Sequence, residues 1–65
     1  PLKRRQREIL KALRSLGGQA TTEAIAQRTG LDINGVAQTL GALYRYVEFV
    51  SGDKRHATWR IIRSS

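Results

Sequence analysis

The chain has 65 residues, no Cys and a single His, and its twelve Lys and Arg face five Asp and Glu, for a formal net charge of +7. That length allows one small domain with one core and one contact surface, and leaves little room for an enclosed catalytic cleft. Without Cys there is neither a disulfide framework nor a thiolate metal site, and His56 alone cannot build a zinc site, so no metal or other cofactor is implied.

The first helix is expected over residues 3 to 16. Ile9, Leu13 and Leu16 fall on one stripe at helical spacing with Ala12 beside them, and basic residues fill the other faces. Lys3, Arg4, Arg5, Arg7, Lys11 and Arg14 stand here against Glu8 alone, a surplus of +5. Gly17 and Gly18 end the helix, and Gln19-Ala20 passes as a brief extended segment. Thr21 or Thr22 then caps a second helix, with Glu23 near its positive end. That helix runs to about Thr29 and buries Ile25 and Ala26, the latter small where two helices cross closely.

Gly30 stops the second helix with a residue that tolerates positive φ, and Asp32 caps the third. The third helix is expected over 32 to 46, with Val36, Leu40 and Leu43 buried at i, i+4 and i+7. Arg28 and Arg45 balance Glu23 and Asp32 across residues 17 to 46, so this centre is neutral. After Leu43 the run Tyr44-Arg45-Tyr46-Val47 offers no glycine to turn the chain out of the helix, and Val47 resists positive φ.

The period then changes. Val47–Val50 and Ala57–Ile62 are β-prone runs joined by Ser51–His56, whose Gly52-Asp53 pair and charged tip suit a hairpin turn. Trp59 and Ile61 share one face, which closes over the core, with Phe49 as cross-strand neighbour. Lys54, Arg55, Arg60 and Arg63 exceed Glu48 and Asp53 by +2, so positive charge flanks the neutral centre at both ends.

Phosphate backbones attract such a surface, and so do anionic membranes; the distribution of the charge helps to separate them. Projecting the third helix at roughly 100° per residue puts Asn34, Gln38, Gly41 and Arg45 opposite its buried stripe. Asn and Gln offer a donor and an acceptor together, which matches the N6/N7 edge of adenine, and Arg45 suits a guanine or a phosphate. Gly35 and Gly41 each cost about 1 kcal/mol inside a helix. Close approach to a partner is one motive for them; tight packing on a neighbouring helix is another. Lys54, Arg55 and His56 concentrate on the hairpin tip, where they meet a phosphate backbone, or else keep a solvated edge from aggregating. Lys3, Arg4, Arg5 and Arg7 form a further candidate phosphate surface. Trp59 packs in the core and can still show an edge to a ligand. His56 has no neighbour that would orient it as a general base and no nucleophile pattern surrounds it, so the chain is not expected to be an enzyme.

On Ile25-Ala26, Gly30-Leu31, Val36, Leu40 and Leu43, and on the hairpin from Val47 to Ile62, the chain resembles the winged helix-turn-helix superfamily. The resemblance implies an α+β fold of three helices with a C-terminal two-stranded β-hairpin wing. It further implies a third helix that enters a groove, a wing on the neighbouring backbone and a first helix that braces the pair. The implied partner is double-stranded nucleic acid, DNA ahead of RNA, in the setting of transcription regulation. Members of that superfamily often carry Arg or Lys early on the third helix, where this chain has Ile33 and Asn34. Some members bind proteins instead, and Ile33, Tyr44 and Tyr46 would then dock the partner.

A second likeness runs through Ile9-Leu10, Leu13, Gly17, Ala20-Thr21-Thr22, Leu40, Leu43 and Thr58-Trp59-Arg60-Ile61. This set is similar to Zα domains, winged helices that hold left-handed DNA or RNA. Those domains use an Asn and a Tyr one turn apart on the third helix beside a wing Trp. Aligned on Gly30, Leu40 and Leu43, the two positions hold Ala37 and Gly41, and only Trp59 matches.

No apolar run approaches the roughly 20 residues that span a bilayer and no signal-peptide pattern opens the chain, so an intracellular module without a membrane partner is expected. The chain begins at Pro1 and contains no Met, so residues 1–65 are expected to be a single domain excised from a longer protein. Whether two copies form a homodimer is left open by the sequence.

Overall fold

The apolar stripe expected over residues 3 to 16 folds as α1 (Arg4–Ser15), which buries Ile9, Leu10, Ala12 and Leu13. The computed structural model describes residues 2–62; Pro1 and residues 63–65, with Arg63 among them, lie outside the described residues. The backbone N–H of Lys3 donates to Gln6 Oε1 at 2.9 Å, which satisfies one of the free donors at the start of α1. At its other end Gly17 and Gly18 both take positive φ, and Gly18 N–H returns to the Leu13 carbonyl at 2.9 Å.

Three residues of strand follow, β1 (Gln19–Thr21), and then α2 (Thr22–Thr29). Thr21 is the cap of α2: its hydroxyl oxygen accepts from Ala24 N–H at 3.1 Å. Gly30 ends α2 at φ 75°, with its N–H on the Ala26 carbonyl at 2.8 Å. Asp32 then caps α3 (Ile33–Ala42), one carboxylate oxygen accepting from Asn34 N–H at 3.1 Å and Gly35 N–H at 3.2 Å.

The third helix is shorter than the sequence pattern suggests. It stops at Ala42, and Tyr44, Arg45 and Tyr46 lie in a turn. No left-handed residue is needed for the exit. The Leu43 carbonyl accepts from both Tyr46 N–H at 2.8 Å and Val47 N–H at 2.9 Å, which bends the chain into β2 (Val47–Ser51) at negative φ. A 3₁₀ turn at Lys54–His56 leads to β3 (Thr58–Ile61). Gly52 at the start of this connection is obligatory, because its φ is 82° and a Cβ there would run into the His56 carbonyl.

The layout is α+β, with three helices and a C-terminal β-hairpin as expected for a winged helix-turn-helix. One correction applies to the hairpin: β1 joins it, giving a three-stranded antiparallel sheet in the order β1-β3-β2 rather than a two-stranded wing. Gln19 pairs with Arg60, Ala20 with Trp59 and Thr21 with Thr58 on one side of β3. Val47 pairs with Ile61, Glu48 with Arg60 and Phe49 with Trp59 on the other, before a bulge between Phe49 and Ser51. Ile61 N–H also donates to the Gly18 carbonyl at 2.9 Å, tying the sheet to the end of α1.

One core closes the molecule. Ile9, Leu13, Ile25, Val36 and Leu40 are fully buried, and Leu43 and Val47 nearly so. Trp59 and Ile61 pack on this cluster from the sheet, half-buried. Phe49 meets the Trp59 ring edge-on, centroids 5.8 Å apart, but remains 55% exposed. The core thus fixes α3 against α1 and α2 while leaving its opposite face to solvent. Among the described residues no helix is long and apolar enough to cross a membrane.

Candidate nucleic-acid interface

The open face of α3 follows from its buried stripe. With Val36 and Leu40 turned inward, Asn34, Gln38 and Gly41 are exposed. Arg45 is exposed too, but it sits in the turn beyond α3 rather than on the helix face with them. Neither helical glycine is demanded by tight packing. A Cβ at Gly41 would meet nothing within 4 Å, and one at Gly35 would touch only Arg5 Nη1, at 3.5 Å.

That contact places Arg5. Its Nη1 lies near the first turn of α3, 3.5 Å from where a Cβ on Gly35 would stand. Among the described residues the ion pairs are Arg55–Glu23 and Arg60–Glu48, so Arg5 has no carboxylate partner there. The other cations of its run do not share this position. Arg4 and Arg7 stand roughly 100° and 160° around α1 from Arg5. Arg7 instead donates to the Leu2 carbonyl at 3.0 Å, and Lys3 precedes the helix. All four are exposed.

On the other flank of α3 the 3₁₀ turn folds back toward the helices. A cleft of about 390 Å³ lies between the two, lined by Thr22, Ile33, Asn34, Ala37, Lys54 and Arg55. Lys54 and Arg55 therefore share one concavity with Asn34. The Arg55 guanidinium comes within 3.7 Å of a Glu23 oxygen, with both side chains well exposed. His56 is exposed on the same turn but does not line the cleft.

Gly35 and Ala37 lie about 160° apart around α3, with Asn34 and Gln38 between them. The helix face bearing the two amides is consequently bordered by Arg5 on one side and by Lys54 and Arg55 on the other. Five of the residues singled out from the sequence come together in this way, while Arg4, Arg7 and Arg45 lie outside the arrangement.

Trp59 is held differently from a free stacking platform. Its indole Nε1–H donates to Thr22 Oγ1 at 2.8 Å, so its one polar group is taken, and the ring is half-buried between sheet and core. Thr22, Glu23 and the reach of Arg5 were not legible as parts of a site. Thr22 looks like a helix cap beside Thr21, and Arg5 is one of four neighbouring cations.

Compared with known proteins, this chain matches no family model, no curated protein and no solved structure.

Proposed function

We infer that this chain is a double-stranded DNA-binding domain that lays α3 in the major groove and meets phosphates with Arg5 on one flank and with Lys54 and Arg55 on the other. The observation that carries this reading is the bracketing of one polar helix face by cations on both sides. A major groove about 12 Å wide admits a single α-helix and is lined on each side by a phosphate strand. Charges on both flanks of the helix are matched to those two strands, whereas a one-sided patch would suit any polyanion.

The amides of Asn34 and Gln38 face the groove floor in this arrangement and suit adenine edges. Most of the affinity nevertheless comes from phosphate contacts, since no Arg or Lys stands on the exposed face of α3. B-form DNA is favoured over duplex RNA because the major groove of A-form RNA is too deep and narrow for a helix to enter.

Fluorescence anisotropy with duplex DNA, duplex RNA and heparin at several salt concentrations tests the reading. With Arg5, Lys54 and Arg55 each neutralising a phosphate, log K for DNA should fall against log salt with a slope of about −3. Duplex RNA should bind more weakly at every salt concentration. Absence of DNA binding at low salt, or heparin bound as tightly per charge as DNA, would refute it.

A further inference from the structure

We propose that Thr22 is the positioning residue of the wing, the group that sets where Lys54 and Arg55 stand relative to α3; this rests on the DNA-binding reading above. Thr22 is the one fully buried polar residue among the described residues. Its backbone N–H donates to the Ala57 carbonyl at 2.9 Å, and its hydroxyl donates to the same oxygen at 3.2 Å. The hydroxyl oxygen also accepts from Trp59 Nε1 at 2.8 Å. The first residue of α2 thus grips both sides of the point where the 3₁₀ turn enters β3.

The turn needs such a grip. Pairing of β2 with β3 ends at Ser51 and Thr58, so residues 52 to 57 have no ladder partner. Within them Lys54 takes φ 54°, a left-handed conformation that a Lys holds only when its surroundings over-determine it. Inside the turn His56 N–H bonds to the Asp53 carbonyl at 2.9 Å and Ala57 N–H to the Lys54 carbonyl at 3.2 Å. These bonds shape the turn without fixing its direction. Among the described residues the hydrogen bonds that reach from it to a helix are those of Thr22 to Ala57, supplemented by the loose Arg55–Glu23 pair.

The chemistry is specific to a hydroxyl. The group at this position must donate to one partner and accept from another at the same time, inside a small buried space. Ser retains both functions. Val keeps the volume and loses both, leaving the indole N–H without a partner. The backbone bond from Thr22 N–H to the Ala57 carbonyl survives in the Val variant, but a wing held by that bond without the hydroxyl is looser, and the cost of ordering it on binding appears as lost affinity.

The test compares Thr22→Val and Thr22→Ser with the wild-type chain, using anisotropy on duplex DNA and the emission of Trp59, the sole Trp. Thr22→Val should shift the emission, weaken DNA binding by about five- to tenfold and flatten the salt slope by roughly one unit. Thr22→Ser should restore all three. A shifted emission with wild-type affinity and slope would overturn the proposal, as would a Ser variant that behaves like Val. Because the Val variant can fail to fold, ¹⁵N relaxation of the wild-type chain supplies a second criterion. Lys54–His56 should be as rigid as α2, with order parameters about 0.85, and values below about 0.6 beside a protected indole N–H would overturn it. A wild-type chain that binds no DNA removes the functional reading instead, and the relaxation result still decides whether Thr22 holds the wing.

Discussion

Two arginine–glutamate pairs in this small domain differ in a way that locates its usable charge. On the sheet, Arg60 and Glu48 are direct cross-strand partners, and the guanidinium Nε and Nη2 donate to one carboxylate oxygen at 2.8 and 2.5 Å. At the wing, Arg55 and Glu23 come from elements far apart in sequence and approach only to 3.7 Å, beyond hydrogen-bonding range. The first pair is assembled by the ladder itself and neutralises its own surface. Among the described residues the second leaves the Arg55 guanidinium without a hydrogen-bond acceptor, next to Lys54, which has no carboxylate partner there. Counting cations along the chain therefore overstates the sheet and understates the wing. Of these two pairs, the one that leaves charge free to meet a phosphate stands beside α3.

Breaking the wing side should have the largest effect. Replacing Lys54 and Arg55 together by Ala should lower affinity for duplex DNA roughly 50-fold near 0.1 M salt and flatten the salt slope by about 2 units. Melting should be nearly unchanged, because exposed charges contribute little to stability. A sharp loss of melting temperature would instead make the turn a structural element. Next comes the opposite flank. Arg5→Ala should cost roughly five- to tenfold and about one unit of slope, whereas Arg7→Ala, on another face of α1, should leave both near wild type. Equal losses at the two positions, seen by the same anisotropy titration, would reduce the bracketing of α3 to a diffuse basic helix.

The smallest expected effect sharpens the contrast between the two pairs. Glu23→Gln removes a carboxylate that competes with phosphate for Arg55, and affinity should rise about two- to threefold at low salt. Glu48→Gln should change affinity by less than that, since it lies on the sheet. A larger gain from Glu48→Gln would place the DNA on the sheet and contradict the assignment.

How much of this was readable beforehand depends on the range of the interaction. The three helices were legible because their signals are local: the stripe Ile9, Leu13 and Leu16, the glycine stop at Gly30 and the cap at Asp32. The end of α3 was not, because Tyr44, Arg45 and Tyr46 carry no breaking residue and the turn is made by one carbonyl, that of Leu43, accepting twice. Gln19-Ala20 was legible as a brief extended segment, but its pairing with β3 was not, for a related reason. Gln19–Thr21 is too short to show a period, and it is a strand only because Trp59 and its neighbours pair with it. Residue types at the candidate site were visible, but their assembly was not. Nothing in the run Lys3-Arg4-Arg5-Gln6-Arg7 tells which side chain crosses to Gly35, and Thr22 gains its role from residues 35 and 37 positions away.

The claim that DNA lies along α3 and the wing is tested most directly by following backbone amide resonances of the ¹⁵N-labelled chain as a duplex is added. The largest shifts are expected at Asn34, Gln38 and Lys54–His56, with smaller ones near Arg5 and little change at Gln19, Glu48 and Arg60. Shifts centred on Gln19, Glu48 and Arg60, or none at all at low salt, would contradict it.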